Sequence, residues 1–187
     1  MTDEYFFDTD CLSAFLWIND VNILKELYGG RIIFPGPVYD ELSNPAIPHL
    51  KKRADNLLED KSATDLEIEV GTEEYTVYQS LVRGEDGNKQ IGKGEAAGIA
   101  LAKINSGILA SNNYRDIAPY IEKYGLKHID TGMILEEALN KGLITEEDGN
   151  DIWARMLAKN RKLPSDTFTD YLKSKAVNRK YKEKPYI

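Results

Sequence analysis

"YFFDTDCLSAFLWIND", residues Tyr5 to Asp20, opens with three aromatic residues and then sets two carboxylates, Asp8 and Asp10, on either side of Thr9. A short apolar run that meets acids at its end and is followed by a longer amphipathic stretch reads as a strand leading through a polar turn into a helix. The pattern recurs along the chain. "RIIF" (Arg31–Phe34), "LEIEV" (Leu66–Val70), "GILA" (Gly107–Ala110) and "LKHI" (Leu126–Ile129) are strand-like, with helical stretches between them. This alternation predicts an α/β fold with a largely parallel sheet. "GEDGNKQIGKG" (Gly84–Gly94) is the most loop-like segment, and "NPAIP" (Asn44–Pro48) ends one helix before another begins.

Composition bounds what such a chain can be. At 187 residues, 42% hydrophobic and 29% charged, it fits one globular domain over residues 1–187. A single cysteine, Cys11, forms no internal disulfide and favours a reducing compartment. The start, "MTDEYFF", lacks the basic region of a signal peptide, and no apolar run approaches the roughly 18 residues of a membrane span. The expectation is a cytoplasmic protein with no membrane partner. Net charge is −7, unevenly placed: from Arg155 to Ile187 ten Lys/Arg face three Asp/Glu, leaving −14 on residues 1–154. A basic, helical C-terminal tail from about residue 155 is thus expected, either a solvated terminus or a polyanion-binding element.

In open parallel sheets functional groups gather beyond the carboxyl ends of the strands. Asp8 directly follows the first strand, Glu41 lies in the helix after "RIIFPGP", Glu95 opens "GEAAGIALAKI", and Asp116 follows "ILASNNYR". Each has a structural explanation by itself. Asp8 fits a helix N-cap, and acids in first helical turns complement the helix dipole. Together they mark one edge of the sheet. Carboxylates gathered at one edge repel one another, and a divalent cation relieves that repulsion. With oxygen donors only, and neither histidine nor cysteine in the pattern, Mg²⁺ or Mn²⁺ is the fitting metal.

Over residues 5–140 the chain resembles the PIN-domain nucleases, a family that includes toxins of prokaryotic toxin–antitoxin pairs. The resemblance is carried by "FFDTDCLSAFL", by "PVYDEL" with Val38, Glu41 and Leu42 in V-x-x-E-L spacing, by "GKGEAAGIALA" and by "ILASNNYRDI". It implies a three-layer α/β/α sandwich, a metal-dependent ribonuclease, and Asp8, Glu41 and Glu95 as the first three acidic site residues. Two positions depart from the family pattern. Asp10 stands where asparagine is usual. Asn113 stands where the fourth acid is usual, with Asp116 three residues later. The implied catalytic set is therefore Asp8, Glu41, Glu95 and Asp116. The implied metal ligands are Asp8 and Glu95 with Asp116 or Asn113, and Thr9, Asp10 and Ser111 support them, with Asp10 beginning a helix that it can cap. RNA is the implied substrate, cut by hydrolysis of its phosphodiester bonds.

Two other readings stand beside this one. "YFFDTDCL" and "ILASN" also resemble motifs of haloacid-dehalogenase-type phosphatases, in which Asp8 would be a nucleophile and Asp10 a general acid/base. That family has Thr or Val where Leu12 stands and expects a later acidic pair, whereas after "LKHID" the next acids are Glu136 and Glu137, in a helical stretch. The third reading is a catalytically inactive PIN-like module that binds RNA or a partner. Between Thr131 and Leu163, Gly142 closes one helix and Thr145 caps the next. Met133, Ile134, Leu139, Leu143, Ile152, Trp153, Met156 and Leu157 give these helices apolar faces, mostly core, with an antitoxin helix or a second copy of the chain as the partner for any remainder. Tyr171, Tyr181 and Tyr186 interleave with the C-terminal charges, where they would stack on bases or pack on the domain. His49 and His128 lack ligand spacing and read as structural.

Overall fold

The computed structural model describes residues 3–182 apart from 86 and 88, with the backbone alone over 177–182. Five strands form one parallel sheet in the order β3-β2-β1-β4-β5. They are β1 (Tyr5–Phe7), β2 (Ile32–Pro35), β3 (Ala63–Leu66), β4 (Ile108–Ala110) and β5 (Lys127–Ile129). Side chains alternate across a strand, and here the alternation feeds two separate cores. Phe7, Ile32, Phe34 and Ala110 pack on one face against α1 (Thr9–Ile18), α2 (Asn22–Tyr28), α4 (Pro48–Glu59), α8 (Thr131–Asn140) and α9 (Glu146–Ala158). Phe6, Ile33 and Leu109 pack on the other against α5 (Glu73–Arg83), α6 (Lys93–Ile104) and α7 (Tyr114–Tyr124). The result is a three-layer α/β/α sandwich. Because both faces are covered, the central strands are apolar throughout, which explains why "YFF" and "RIIF" show no polar alternation.

The third strand lies earlier than "LEIEV" suggests. Ala63 pairs with Ile32 and Leu66 with Pro35, while residues 67–70 have left the sheet. The alternating acids of that stretch imitate a half-buried strand, but pairing is set by the chain's exit from α4, where the Gly30 N–H already bonds the Ser62 carbonyl at 2.9 Å. Only Ala63 of this edge strand is buried, and Val70 is 80% exposed.

The described side chains after Arg155, up to residue 176, include several folded onto the body. Trp153, Met156, Phe168 and Tyr171 are buried in the same core as Phe7 and Phe15. The Tyr171 ring stacks on Phe168 and lies 5.5 Å from Trp153, so it packs on the domain. The side chains of Tyr181 and Tyr186 lie outside the described residues. Arg155 pairs with Asp20 at 2.7 Å and with Asp151 at 2.8 Å. Of the apolar residues on α8 and α9, Ile134, Ile152, Trp153 and Met156 are core, and Leu143 is 42% exposed at the turn between these helices. His49 sits against Trp17, and His128 Nε2 bonds the Ser111 carbonyl at 2.8 Å. No helix among the described residues is long and apolar enough to cross a membrane.

Candidate functional site

The chain leaves β1 for β2 on one side and reaches β4 on the other, so the strand order reverses between β1 and β4. In open α/β sheets the crevice beyond such a reversal is where ligands bind. Asp8 stands at its mouth. Its backbone N–H donates to Ala110 O of β4 at 2.9 Å, and its extended backbone makes it the N-cap of α1, with Oδ1 accepting from the Cys11 N–H at 2.7 Å. Asp8, not Asp10, therefore caps this helix. Asp10 is in the first turn, past the position whose side chain can reach the free N–H groups.

The second oxygen of Asp8, Oδ2, is buried and accepts no hydrogen bond, the one such side-chain atom among the described residues. Only 1% of Asp8 is exposed. Burial pushes its carboxyl up to about 7, opposed by the Ser111 hydroxyl, which is near the carboxylate but outside hydrogen-bond geometry, and by the Cys11 N–H, and helped by the charges of Asp10 and Glu95. Near neutral pH the group is thus poised between its two forms, and a cation on Oδ2 would fix the ionised one.

Two helices bring further carboxylates to the same place. Pro37 in the first turn of α3 (Gly36–Leu42) starts a helix directly from β2, and one turn on Glu41 accepts a hydrogen bond from the Thr9 hydroxyl. Glu95 lies in the first turn of α6, with Oε2 accepting from the Gly92 N–H at 3.2 Å. Asp8, Thr9, Asp10, Glu41, Gly92, Gly94 and Glu95 line one cleft of about 210 Å³. Gly94 is needed there by proximity, since a Cβ would stand 2.9 Å from Thr9 Oγ1 and 3.4 Å from Glu41 Oε1.

Asn113 joins this cleft to a second one. Its amide Nδ2 donates to Glu95 Oε1 at 2.6 Å and to Asp116 Oδ2 at 2.8 Å. Both partners are acceptors, which assigns the nitrogen to this side of the amide and turns the carbonyl oxygen away from them. Asp116, in the first turn of α7, pairs with Lys89 at 2.9 Å, and Lys89 followed by Asn113 holds its carboxyl below the ordinary range. The backbone of Lys89 is itself held by the Tyr120 hydroxyl at 2.6 Å. Asn113 and Asp116 line a neighbouring cavity of about 470 Å³, which Asp10 also borders. Ser111 is fully buried beneath, accepting from the Asn113 N–H at 3.3 Å.

The residues singled out from sequence thus fall into two groups. Asp8, Thr9, Asp10, Glu41 and Glu95 share one cleft, while Asn113 and Asp116 line the neighbouring one, joined to the first by the Asn113–Glu95 hydrogen bond and by Asp10, which borders both; Ser111 is buried beneath Asn113. Among the described residues no three His, Cys, Asp or Glu side chains are drawn close enough together to hold a metal ion. The donor chemistry nonetheless fits a hard cation: the cleft offers carboxylate oxygens without a nearby base, and a buried carboxylate oxygen without a partner is the atom a cation satisfies. Gly94, Asn112, Arg115 and Lys89 also line or brace these clefts. The paired glycines of "GKGE" were the available signal for the first of these, and no local signal marks the others.

Comparison with known proteins bears on this arrangement. The sequence model of the PIN domain matches residues 4–176. No curated protein matches the chain. Among solved structures it is similar to VapBC2 from Rickettsia felis bound to a DNA fragment from their promoter, at 14% identity and a TM-score of 0.46, over 67% of this chain and 97% of that one. With nearly the whole described chain inside the family match, and acids at the strand ends of a β3-β2-β1-β4-β5 sheet, this protein belongs to the PIN-domain family.

Proposed function

We propose that the protein is a divalent-metal-dependent ribonuclease, and that the cleft around Asp8 is its active site. The observation that supports this most is the partnerless, buried Oδ2 of Asp8 beside Glu41 and Glu95. Asp8 through Oδ2 and Glu95 would hold Mg²⁺ or Mn²⁺, with Asp116 completing the set from the adjoining cavity; Asn113, whose amide nitrogen and not its carbonyl oxygen faces Glu95, would take that place only with its amide turned over. When bound, the cation would supply Lewis acidity, favouring attack of water on a phosphodiester phosphorus and offsetting charge on its oxygens. The chain's own residues do the positioning. The Cys11 N–H fixes one oxygen of Asp8 and so aims the other. Thr9 orients Glu41, which is free to accept a proton from the attacking water. Asn113 holds Glu95 and Asp116 in place by donating to both carboxylates from one amide nitrogen. As a toxin, the protein would meet an antitoxin helix, or a second copy, at the exposed Leu143.

The test is purified protein with end-labelled single-stranded RNA in Mg²⁺, Mn²⁺ or EDTA. Cleavage with either metal and none in EDTA is expected. Binding without cleavage would favour the inactive module, and hydrolysis of a chromogenic phosphate monoester would favour the phosphatase.

A further inference from the structure

The cavity beyond Asp10 differs in kind from the acidic cleft. Arg115, Arg161 and Lys162 line it, together with the amides of Asn112, Asn113 and Asn160. Of its two acids, Asp116 is already neutralised by Lys89, and Asp10 stands at the boundary with the acidic cleft. Among the described residues none of its three cations forms an ion pair with a carboxylate, although the charge of Arg115 also helps, after Lys89 and Asn113, to hold the Asp116 carboxyl down. Arg161 is held by neutral groups instead. Its Nε donates to the Lys159 carbonyl at 3.1 Å, its Nη1 to Ser13 Oγ at 3.5 Å, and its guanidinium lies 5.6 Å from the centre of the Trp17 ring. An arginine fixed by neutral contacts keeps its charge for a ligand. Asn112 accepts from the Thr131 N–H with Oδ1, leaving its amide protons for an acceptor.

A third cavity, of about 280 Å³, continues the second across Asn112 and Lys162, which line both. On its wall is Tyr114, 61% exposed, with its ring 5.7 Å from that of His128. Its one acid, Asp130, is engaged as the N-cap of α8, accepting from the Met133 N–H at 2.7 Å.

We infer that these two cavities form a track for a single strand of nucleic acid, with Arg115, Arg161 and Lys162 on successive phosphates and Tyr114 under a base. Cations spaced along a groove, beside an exposed ring, are how proteins hold unpaired strands. The track begins at Asp10, so a strand lying in it delivers a phosphate into the acidic cleft. It also solves the electrostatic problem of an acidic protein binding a polyanion, by confining the positive potential to one groove. The inference rests on the ribonuclease reading only in naming the strand as substrate.

The test uses fluorescence anisotropy in EDTA, with a labelled single-stranded RNA of about 12 nucleotides and the matching duplex. Arg115→Gln, Arg161→Gln and Lys162→Gln should each raise Kd about 3- to 10-fold and reduce the slope of log K against log salt by about 0.7 for each phosphate no longer neutralised. Tyr114→Ala should raise Kd about tenfold, while Tyr114→Phe stays within about twofold of wild type, because the ring and not the hydroxyl does the stacking. Lys141→Gln, an exposed charge at the C-terminal end of α8 that lines neither cavity, should change nothing. Arg161 touches Trp17, so the exposed Arg115 and Lys162 decide the outcome, with melting curves as the check on folding. Wild-type affinity in those variants, no RNA binding by wild type, or equal affinity for the duplex overturns the track. Cleavage in Mn²⁺ is scored separately: binding that these substitutions weaken, with no cleavage by wild type, keeps the track and overturns the ribonuclease.

Discussion

The two clefts that meet at Asp10 are built on opposite electrostatic plans. On one side, Asp8, Glu41 and Glu95 crowd carboxylates into about 210 Å³ without a cation on the wall. On the other, Arg115, Arg161 and Lys162 line about 470 Å³, and the principal acid there, Asp116, is paired with Lys89. Burying a carboxylate there is costly for the protein alone, as the raised carboxyl of Asp8 shows, chiefly through desolvation and to a smaller extent through the charges of Asp10 and Glu95, and a cation would relieve it. The second attracts anions without help. In the proposed mechanism Asp8 would hold a metal and Arg161 a phosphate, and cutting a polyanion would use both.

Substitutions can break this contrast selectively. The largest effect is expected from Asp8→Asn. Asparagine caps a helix as well as aspartate, so α1 survives, while the charge offered to a cation is lost. RNA cleavage in Mn²⁺ should fall by more than about 100-fold, since removing even the partner of a metal ligand costs about 10- to 100-fold. Activity near the wild-type level would make Asp8 a cap and nothing more.

Asn113→Ala sharpens the comparison, because this amide is the hinge between the clefts. Glu95 and Asp116 would lose their shared donor, and cleavage should drop about 10- to 100-fold, with a raised requirement for Mn²⁺. If only RNA affinity changed, at any Mn²⁺ concentration, Asn113 would belong to the strand track alone.

Gly94→Ala should have the smallest effect on rate. Its Cβ displaces Thr9 Oγ1 and with it the orientation of Glu41, for an expected loss of about tenfold. Stability should not fall in step, because alanine in place of glycine within a helix adds up to about 1 kcal/mol. A loss of activity and stability together would point to general misfolding of α6 instead.

How much of this could be read from the sequence depended on range. Tyr5–Phe7, Ile32–Pro35 and Ile108–Ala110 are buried on both faces, so their apolar runs announce them, and the acids that follow β1 and open α6 are local to those runs. "LEIEV" misled because an exposed stretch with alternating acids carries the same period as an edge strand, while the real pairing was decided by Gly30 and Ser62. The role of Asn113 depended on Glu95, 18 residues away, and the neutralisation of Asp116 on Lys89, 27 away. The basic cleft joins residues 112–116 to 160–162 across the α9 layer. No pattern within a window of sequence contains such pairings, although the excess of Lys/Arg after Arg155 did mark the segment that supplies two of the cations.

The central claim is that burial of Asp8 is tolerated because a cation completes it, and the melting temperature of wild type against Asp8→Asn, across pH and with or without Mn²⁺, tests it most directly. Asp8 has a folded-state carboxyl raised to about 7 from 3.8, so the stability tied to its protonated form is fully present below about pH 4 and is lost as pH rises through about 7. In EDTA the two proteins should therefore melt alike near pH 4, and wild type should fall below Asp8→Asn as pH rises to 8. A carboxyl raised that far corresponds to a difference on the order of 4 kcal/mol. Mn²⁺ at pH 8 should raise wild type progressively, by about 2.7 kcal/mol at about 100 times its Kd and by about 4.1 kcal/mol at about 1,000 times its Kd, where the loss is made good, and should leave Asp8→Asn where it was. A wild type indifferent to Mn²⁺, or an Asp8→Asn protein that responds equally, would contradict the claim.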